Sequence, residues 1–134
     1  MDLLLVDDCP STLLRLEKTV SNWGYKPVSA GDAQKALKIL ELESAPRLLI
    51  IDWVMPQMEG PELIRKIRYR DPNRDRYIIM LTAKTGRDIL ETAFRCGADD
   101  YLSKPIAEDD LHRRILEGQK ILDRQDQLLS TLKR

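Results

Sequence analysis

Residues 48 to 60 read LLIIDWVMPQMEG, an apolar run that stops at the carboxylate of Asp52 and then turns. A short, continuous apolar run predicts a strand that is buried on both faces, as in a parallel sheet. A single acid after a strand can do no more than cap the following loop. The motif therefore predicts a buried strand and leaves the role of Asp52 open.

The same arrangement recurs along the chain. Three further apolar runs stop at polar groups suited to phosphate chemistry: LLLV at Asp7 and Asp8, YIIML at Thr82 and Ala83, and YLS at Lys104 and Pro105. Segments of helical periodicity separate these runs, so the pattern predicts an α/β fold whose parallel sheet is covered by helices on both faces. Because the carboxyl ends of parallel strands share one edge, these polar groups are expected to meet there.

Helical periodicity and turn residues place the remaining elements. Apolar residues recur at helical spacing in five segments: 11 to 23, 33 to 42, 61 to 69, 87 to 96, and about 108 to 134. Residues 24 to 28 predict a short edge strand, since Pro27 cannot donate to a ladder. Gly97 is placed to end the fourth helix in a left-handed conformation.

The composition excludes several classes of protein. A chain of 134 residues can bury a core without disulfides or metal. Lys plus Arg and Asp plus Glu both number 22, which argues against nucleic acid and anionic membranes as partners of this segment. Cys9, Cys96 and the single His112 lack metal-ligand spacing, so reduced thiols in a cytoplasmic protein are expected. No apolar run approaches the roughly 20 residues that span a bilayer.

Together the motifs resemble the receiver domain of two-component response regulators. The resemblance covers about residues 1 to 120 and rests on five motifs in order: Asp7-Asp8, Asp52, Met55-Pro56 with Gly60, Thr82-Ala83, and GADDYLSKP at 97 to 105. It implies a flavodoxin-like, doubly wound sheet of five parallel strands in the order 2-1-3-4-5 with five helices, and the sequence itself predicts that the last helix is extended.

The resemblance also implies a phosphorylation site. Asp52 would take a phosphoryl group from a sensor histidine kinase, a phosphotransfer protein or a small phosphodonor. Asp8 and Asp52 would bind Mg²⁺ directly and Asp7 through water, with the backbone carbonyl of Val54 completing the set. Physical chemistry supports a cation here, because adjacent strands lie about 5 Å apart and their carboxylates would otherwise repel each other.

Further residues of the family's switch match this chain. Lys104 would meet a phosphoryl oxygen, aimed by a cis peptide bond to Pro105. The Thr82 hydroxyl and the Ala83 amide would bind the phosphoryl group and draw their loop inward, after which Tyr101 would turn inward. The alternatives are a surface position for Lys104 and ordinary core packing for Tyr101.

Four further residues lie in the loops beside this cluster. Val54 has no polar side chain to hold an attacking water, which predicts slow self-dephosphorylation. Lys84 either screens the phosphoryl group or is solvated. Cys9 is expected to be a reduced spectator thiol, and Trp53 a partly exposed aromatic residue of the loop.

The last helix is longer than a receiver domain requires, at about 40 Å. Five apolar residues fall on heptad a and d positions: Leu111, Ile115, Leu122, Leu129 and Leu132. Gly118 and Gln125 occupy the remaining two of these positions. The early part is expected to pack on the sheet and the later part to lie beyond it. This predicts a receiver domain at 1 to 118 and an extension at 119 to 134.

The extension has two alternative interpretations. It either forms a homodimer through a short parallel coiled coil or is a frayed, solvated helix. Gly118 lowers helix stability by up to about 1 kcal/mol and predicts a soft joint. The stretch from Leu111 to Leu129 also resembles the connector to an effector such as a GGDEF diguanylate cyclase or a phosphatase, although a stand-alone regulator is the alternative.

The predicted function is a signalling switch whose only catalysis is its own phosphorylation and dephosphorylation. A hydrolase of the haloacid dehalogenase type would place a second carboxylate two residues after the nucleophile, where this chain has Val54. A phosphorylation-independent dimerising adaptor is the main alternative. The acidic pair, Thr82 and Lys104 disfavour it.

Overall fold

A computed structural model describes residues 1 to 71 and 75 to 132 of the chain. Strands and helices alternate along it: β1 Asp2–Val6, α1 Pro10–Asn22, β2 Lys26–Ala30, α2 Ala33–Leu40, β3 Leu48–Asp52, α3 Gly60–Arg70, β4 Tyr77–Thr82, α4 Arg87–Arg95, β5 Asp100–Ser103 and α5 Glu108–Leu132. The predicted continuation of the last helix to residues 133 and 134 lies outside the described residues.

All five strands are parallel and follow the order β2-β1-β3-β4-β5, which confirms the predicted topology. Pro27, which lies opposite Leu3, is in the edge strand β2. An edge position suits proline because proline has no amide hydrogen to donate. Toward the carboxyl edge, Val6 pairs with Ile51 and Asp52 with Leu81. This register brings the ends of β1, β3 and β4 side by side.

The sheet separates two apolar cores, because successive side chains of a strand point to opposite faces. One core includes Leu4, Leu49 and Ile78 together with residues of α2, α3 and α4. The other includes Leu5 and Ile50 together with residues of α1 and α5. The central strands are therefore buried on both faces, which is why their sequences are continuously apolar rather than alternating.

The turn after α4 depends on a glycine and an arginine. Gly97 has a φ of 114°, as predicted for the residue that follows this helix. A Cβ atom there would lie 2.7 Å from Cγ of Arg68. The Arg68 guanidinium donates to the carbonyls of Gly97 and Arg76 at 2.9 and 2.8 Å and to the Asp99 carboxylate at 2.6 Å. Arg68 thus joins α3 to the turn before β5.

The part of helix α5 that follows residue 118 still contacts the domain. Leu122 is only 1% exposed. Gln119 accepts a 2.7 Å hydrogen bond from the Tyr25 hydroxyl, and Arg47 donates to both carboxylate oxygens of Asp126 at 3.0 and 2.9 Å. The prediction that the helix lacks support after residue 118 is therefore wrong for these turns, because residues just before β2 and β3 reach the helix.

Gly118 allows a close approach between α5 and Tyr77 of β4. The helix is continuous through this residue. A Cβ atom at Gly118 would lie 2.5 Å from Cδ1 of the buried Tyr77 ring. The glycine is therefore a packing residue rather than the predicted soft joint.

At the far end of α1, the Trp23 ring stacks on His112 of α5 at 4.1 Å between centroids.

Among the described residues, no helix combines the length and the apolar character that a membrane span requires.

We expect Gly118→Ala to lower the free energy of unfolding by about 1 to 3 kcal/mol, because the added methyl group collides with Tyr77. Helix propensity alone predicts the opposite sign, a gain of up to about 1 kcal/mol. Urea denaturation measures the difference, with Lys120→Ala as an exposed control on the same helix. A more stable Gly118→Ala protein would contradict the close contact.

Candidate functional site

Three carboxylates meet at the carboxyl edge of the sheet. Asp7 and Asp8 follow β1, and Asp52 is the last residue of β3. One carboxylate oxygen from each lies within 4.8 Å of the others. Asp7 and Asp52 are buried, whereas Asp8 is exposed. The structure therefore brings together the acids that the sequence places after neighbouring strands.

Lys104 reaches this cluster from the end of β5. Its ammonium lies 2.6 Å from Oδ1 of Asp52 and 3.8 Å from Oδ2 of Asp7. The Lys104 backbone amide donates to the carbonyl of Thr82 at 2.8 Å, which ties the end of β5 to the end of β4. The peptide bond to Pro105 is cis, as the family resemblance implies. The Lys104 side chain therefore contacts two acids of the cluster instead of extending into solvent.

Two groups of the cluster, Asp7 and Lys104, have raised pKa values. Burial raises the pKa of Asp7, and the charges of Asp52 and Asp8 add to that effect, while the Cys9 amide and Lys104 oppose it. Burial lowers the pKa of Lys104, but the hydrogen bond and charge of Asp52, together with the charge of Asp7, outweigh it, so the net pKa is raised. Lys104 is therefore held as a cation while the acids still repel each other.

The cluster has the donors that a hard divalent cation requires. Oδ1 of Asp7 accepts a 2.9 Å hydrogen bond from the Cys9 amide. Its buried Oδ2 has no hydrogen-bond partner among the described residues. Carboxylate oxygens are the ligands that Mg²⁺ prefers, and clustered acids with an unsatisfied oxygen fit it. Val54 lies in the loop directly after β3, and its side chain is exposed.

A glycine sets the position of the loop after β3. The Trp53 amide donates to the carbonyl of Leu81 at 2.8 Å, and the Gly60 amide donates to the carbonyl of Trp53 at the same distance. A Cβ atom at Gly60 would lie 2.7 Å from the Asp52 carbonyl oxygen. Only glycine therefore lets α3 begin directly against the end of β3, beside the carboxylate cluster.

The predicted switch residues lie around the loop between β4 and α4. The buried Thr82 hydroxyl accepts a 2.9 Å hydrogen bond from the Lys84 amide, and Ala83 between them is exposed. Tyr101 is half-buried and packs against the core that includes Trp53. Its hydroxyl donates to the carbonyl of Lys84 at 3.2 Å and lies 3.3 Å from the Ser103 hydroxyl oxygen.

The structure corrects the expectation for Trp53 and adds Glu59 to the site. Trp53 is only 4% exposed, so it is a core residue and not a partly exposed loop aromatic. The Lys84 ammonium lies 5.4 Å from the centroid of the Trp53 ring and 4.0 Å from the Glu59 carboxylate. Nothing local in the sequence indicates this grouping, because it joins two loops about 25 residues apart.

Cys9 is an exposed thiol at the start of α1. Hydrogen bonds with Ser11 and Thr12 lower its pKa to about 7. Its backbone amide is the group that contacts the acid cluster, through Asp7.

Comparison with known proteins identifies close similarity over most of the chain. The response regulator receiver domain model matches residues 3–116. The chemotaxis protein CheY1 of Helicobacter pylori is 32% identical over 116 residues, which cover 86% of this chain and 94% of that protein. A transcriptional regulator, ycf27, of Cyanophora paradoxa is 38% identical over 113 residues, 84% of this chain and 46% of that protein.

Solved structures agree with the sequence comparison. A response regulator receiver domain from Clostridium thermocellum superposes with a TM-score of 0.82 at 26% identity and covers 95% of this chain and 98% of that one. A two-component response regulator with a GGDEF domain has a TM-score of 0.84 at 27% identity, over 92% of this chain and 50% of that one.

We expect Asp7→Asn to raise the free energy of unfolding without metal by about 1 to 2 kcal/mol, because it removes a buried charge that its neighbours repel. The same change should abolish stabilisation by Mg²⁺. Thermal unfolding in EDTA and in magnesium chloride measures both effects. Asp8→Asn is the matched control: it should lose the Mg²⁺ response with a smaller gain in EDTA, since Asp8 is exposed. A less stable Asp7→Asn protein in EDTA would refute this account.

Proposed function

Because the chain belongs to the response regulator receiver domain family of two-component signalling, we propose that it is a switch controlled by phosphorylation of Asp52. The phosphodonor is a sensor histidine kinase or a phosphotransfer protein. The observation that carries the proposal is the 2.6 Å contact between the Lys104 ammonium and the Asp52 carboxylate, inside a cluster of three acids.

The chemistry requires little more than positioning and charge. The Asp52 carboxylate attacks the phosphorus atom of the donor, the bond to the donor breaks, and an acyl phosphate forms. Lys104 already contacts Asp52 and can follow the incoming negative charge. Asp7, Asp8 and Asp52 would hold Mg²⁺, with the Val54 carbonyl as a further ligand. The ion supplies positive charge to the transferring group.

The conformational change that follows phosphorylation would involve the loop between β4 and α4. The Thr82 hydroxyl accepts a hydrogen bond from the Lys84 amide and keeps its own proton, which it can donate to the phosphoryl group. The Ala83 amide offers a second donor. Because the Tyr101 hydroxyl binds the Lys84 carbonyl, a loop that moves toward Asp52 pulls on Tyr101 as well.

We place the phosphodonor protein over a groove of about 380 Å³ between α1 and the start of α5. The groove is lined by apolar residues such as Leu16, Ile106 and Leu111, by the basic residues Arg15 and Lys104, and by Thr12, Thr19 and the acidic Glu108. Lys104 joins the groove to the site. The donor histidine must reach Asp52, so the donor protein must bind directly beside the carboxylate cluster.

We expect Arg15→Glu to slow phosphotransfer from a histidine kinase by about three- to tenfold, because a charge at the rim of an interface mainly affects association. Acetyl phosphate should phosphorylate the variant at the wild-type rate. The kinase for this assay is the one, from a panel, that phosphorylates the wild-type chain fastest. Lys18→Glu, an exposed lysine on the same helix, is the control for charge. Equal slowing by both variants would remove the groove as the docking site.

The output we propose is a homodimer that forms through the end of α5. Leu128, Leu129 and Leu132 are 60%, 53% and 81% exposed. The helix contacts the domain as far as Asp126, so these three residues lie beyond that contact; earlier on the helix, Leu116 and Ile121 are less exposed, at 41% and 37%. In a longer protein the same helix would connect to an effector domain. The alternative function, a phosphorylation-independent dimerising adaptor, would use this helix without the carboxylate site.

We expect beryllofluoride with Mg²⁺ to change the sedimenting mass of the wild-type chain and to leave Asp52→Asn unchanged. The reason is that the analogue occupies the phosphoryl position only when a carboxylate holds it. Sedimentation velocity measures both proteins, and Leu132→Asp tests whether the helix end is the contact. A dimer that ignores the analogue would favour the adaptor.

A further inference from the structure

We propose that Glu59 is a positioning residue of the switch, which holds the Lys84 ammonium over Trp53 in the unphosphorylated state. Phosphorylation of Asp52 would offer that ammonium a stronger anion and release the loop between β4 and α4. This inference rests on the proposed function and adds a restraint that opposes the switch.

The restraint joins two loops that flank Asp52. Glu59 ends the loop after β3, and Lys84 lies in the loop after β4. The Lys84 ammonium lies 4.0 Å from the Glu59 carboxylate and 5.4 Å from the centroid of the Trp53 ring. Trp53 is buried and directly follows Asp52 in the chain, so it gives the ammonium a fixed surface beside the site.

The backbone of Lys84 couples this restraint to the switch residues. Its amide donates to the Thr82 hydroxyl at 2.9 Å, and its carbonyl accepts from the Tyr101 hydroxyl at 3.2 Å. The Lys84 backbone is thus bonded to both Thr82 and Tyr101. When Glu59 holds the Lys84 side chain, this backbone stays in its present position. Movement of Thr82 toward a phosphoryl group would have to displace Lys84.

Glu59 is available for this role because it does not cap its helix. It occupies the N-cap position of α3, where an acidic side chain normally accepts from the amides of the first turn. Here its carboxylate makes no capping hydrogen bond within the described part of the chain. Pro61, the second residue of the helix, has no amide to donate. The nearby cation that the structure gives to this carboxylate is Lys84.

The strength of the restraint suits a switch. Both side chains are about half exposed, 43% for Lys84 and 55% for Glu59, and exposed ion pairs of this kind contribute little. A phosphoryl group carries almost two negative charges and accepts several hydrogen bonds, so it can outcompete one carboxylate. We expect loss of the restraint to tighten binding of a phosphoryl analogue by about two- to fivefold.

The test compares beryllofluoride affinity, in the presence of Mg²⁺, for four proteins: the parent chain, Glu59→Gln, Lys84→Met and the double variant. Trp53 fluorescence reports binding, and all four carry Trp23→Phe so that Trp53 is the single tryptophan. Glu59→Gln should tighten binding two- to fivefold alone and have no effect when Lys84 is methionine. Glu62→Gln, the same charge change on the first turn of α3, should leave the affinity unchanged.

If Glu59→Gln tightens beryllofluoride binding equally with and without Lys84, the proposal is overturned. The effect would then come from the loss of a nearby negative charge and not from release of Lys84. A second measurement needs no analogue. Hydrogen exchange of the Lys84 amide should become faster in Glu59→Gln and not in Glu62→Gln, and an unchanged rate would also overturn it. Failure of the parent chain to bind beryllofluoride would instead contradict the proposed function, and the exchange result would still decide the restraint.

Discussion

The repulsion between buried carboxylates at one edge of the sheet is the constraint on which the site depends. Asp7 and Asp52 lie close together because β1 and β3 are neighbouring strands whose register places their ends side by side. Lys104 offsets part of this charge from the end of β5. A cation bound at this edge would offset the negative charge that Lys104 leaves uncompensated.

The rest of the fold serves to hold these strand ends in place. Apolar side chains on both faces of β1, β3 and β4 fix the sheet, and Gly60 lets α3 begin against the end of β3. On the opposite side, α5 approaches Tyr77 closely at Gly118 and is tied to Arg47 through Asp126. The last helix therefore contacts the domain as far as Asp126, and its exposed residues Leu128, Leu129 and Leu132 lie beyond that contact.

Most of the architecture was predictable because local patterns encode it. Continuous apolar runs identify strands buried on both faces, Pro27 identifies an edge strand, and Gly97 identifies a helix end. The residues of the carboxylate cluster were also predictable, because the polar residue that follows each parallel strand must lie at the same edge. The environment of Trp53 was not predictable, since it is buried in a core that brings together residues of several strands and helices.

The sequence by itself determined the order of elements, the two-faced burial of the sheet and the set of polar residues at its edge. Only the tertiary structure decided the distances and partners within that set. The contact of Lys104 with Asp52, the pairing of Glu59 with Lys84 and the fit of Gly118 on Tyr77 each join residues far apart in the chain. Such contacts depend on how helices and loops pack in three dimensions, and periodicity along the chain carries no information about that packing.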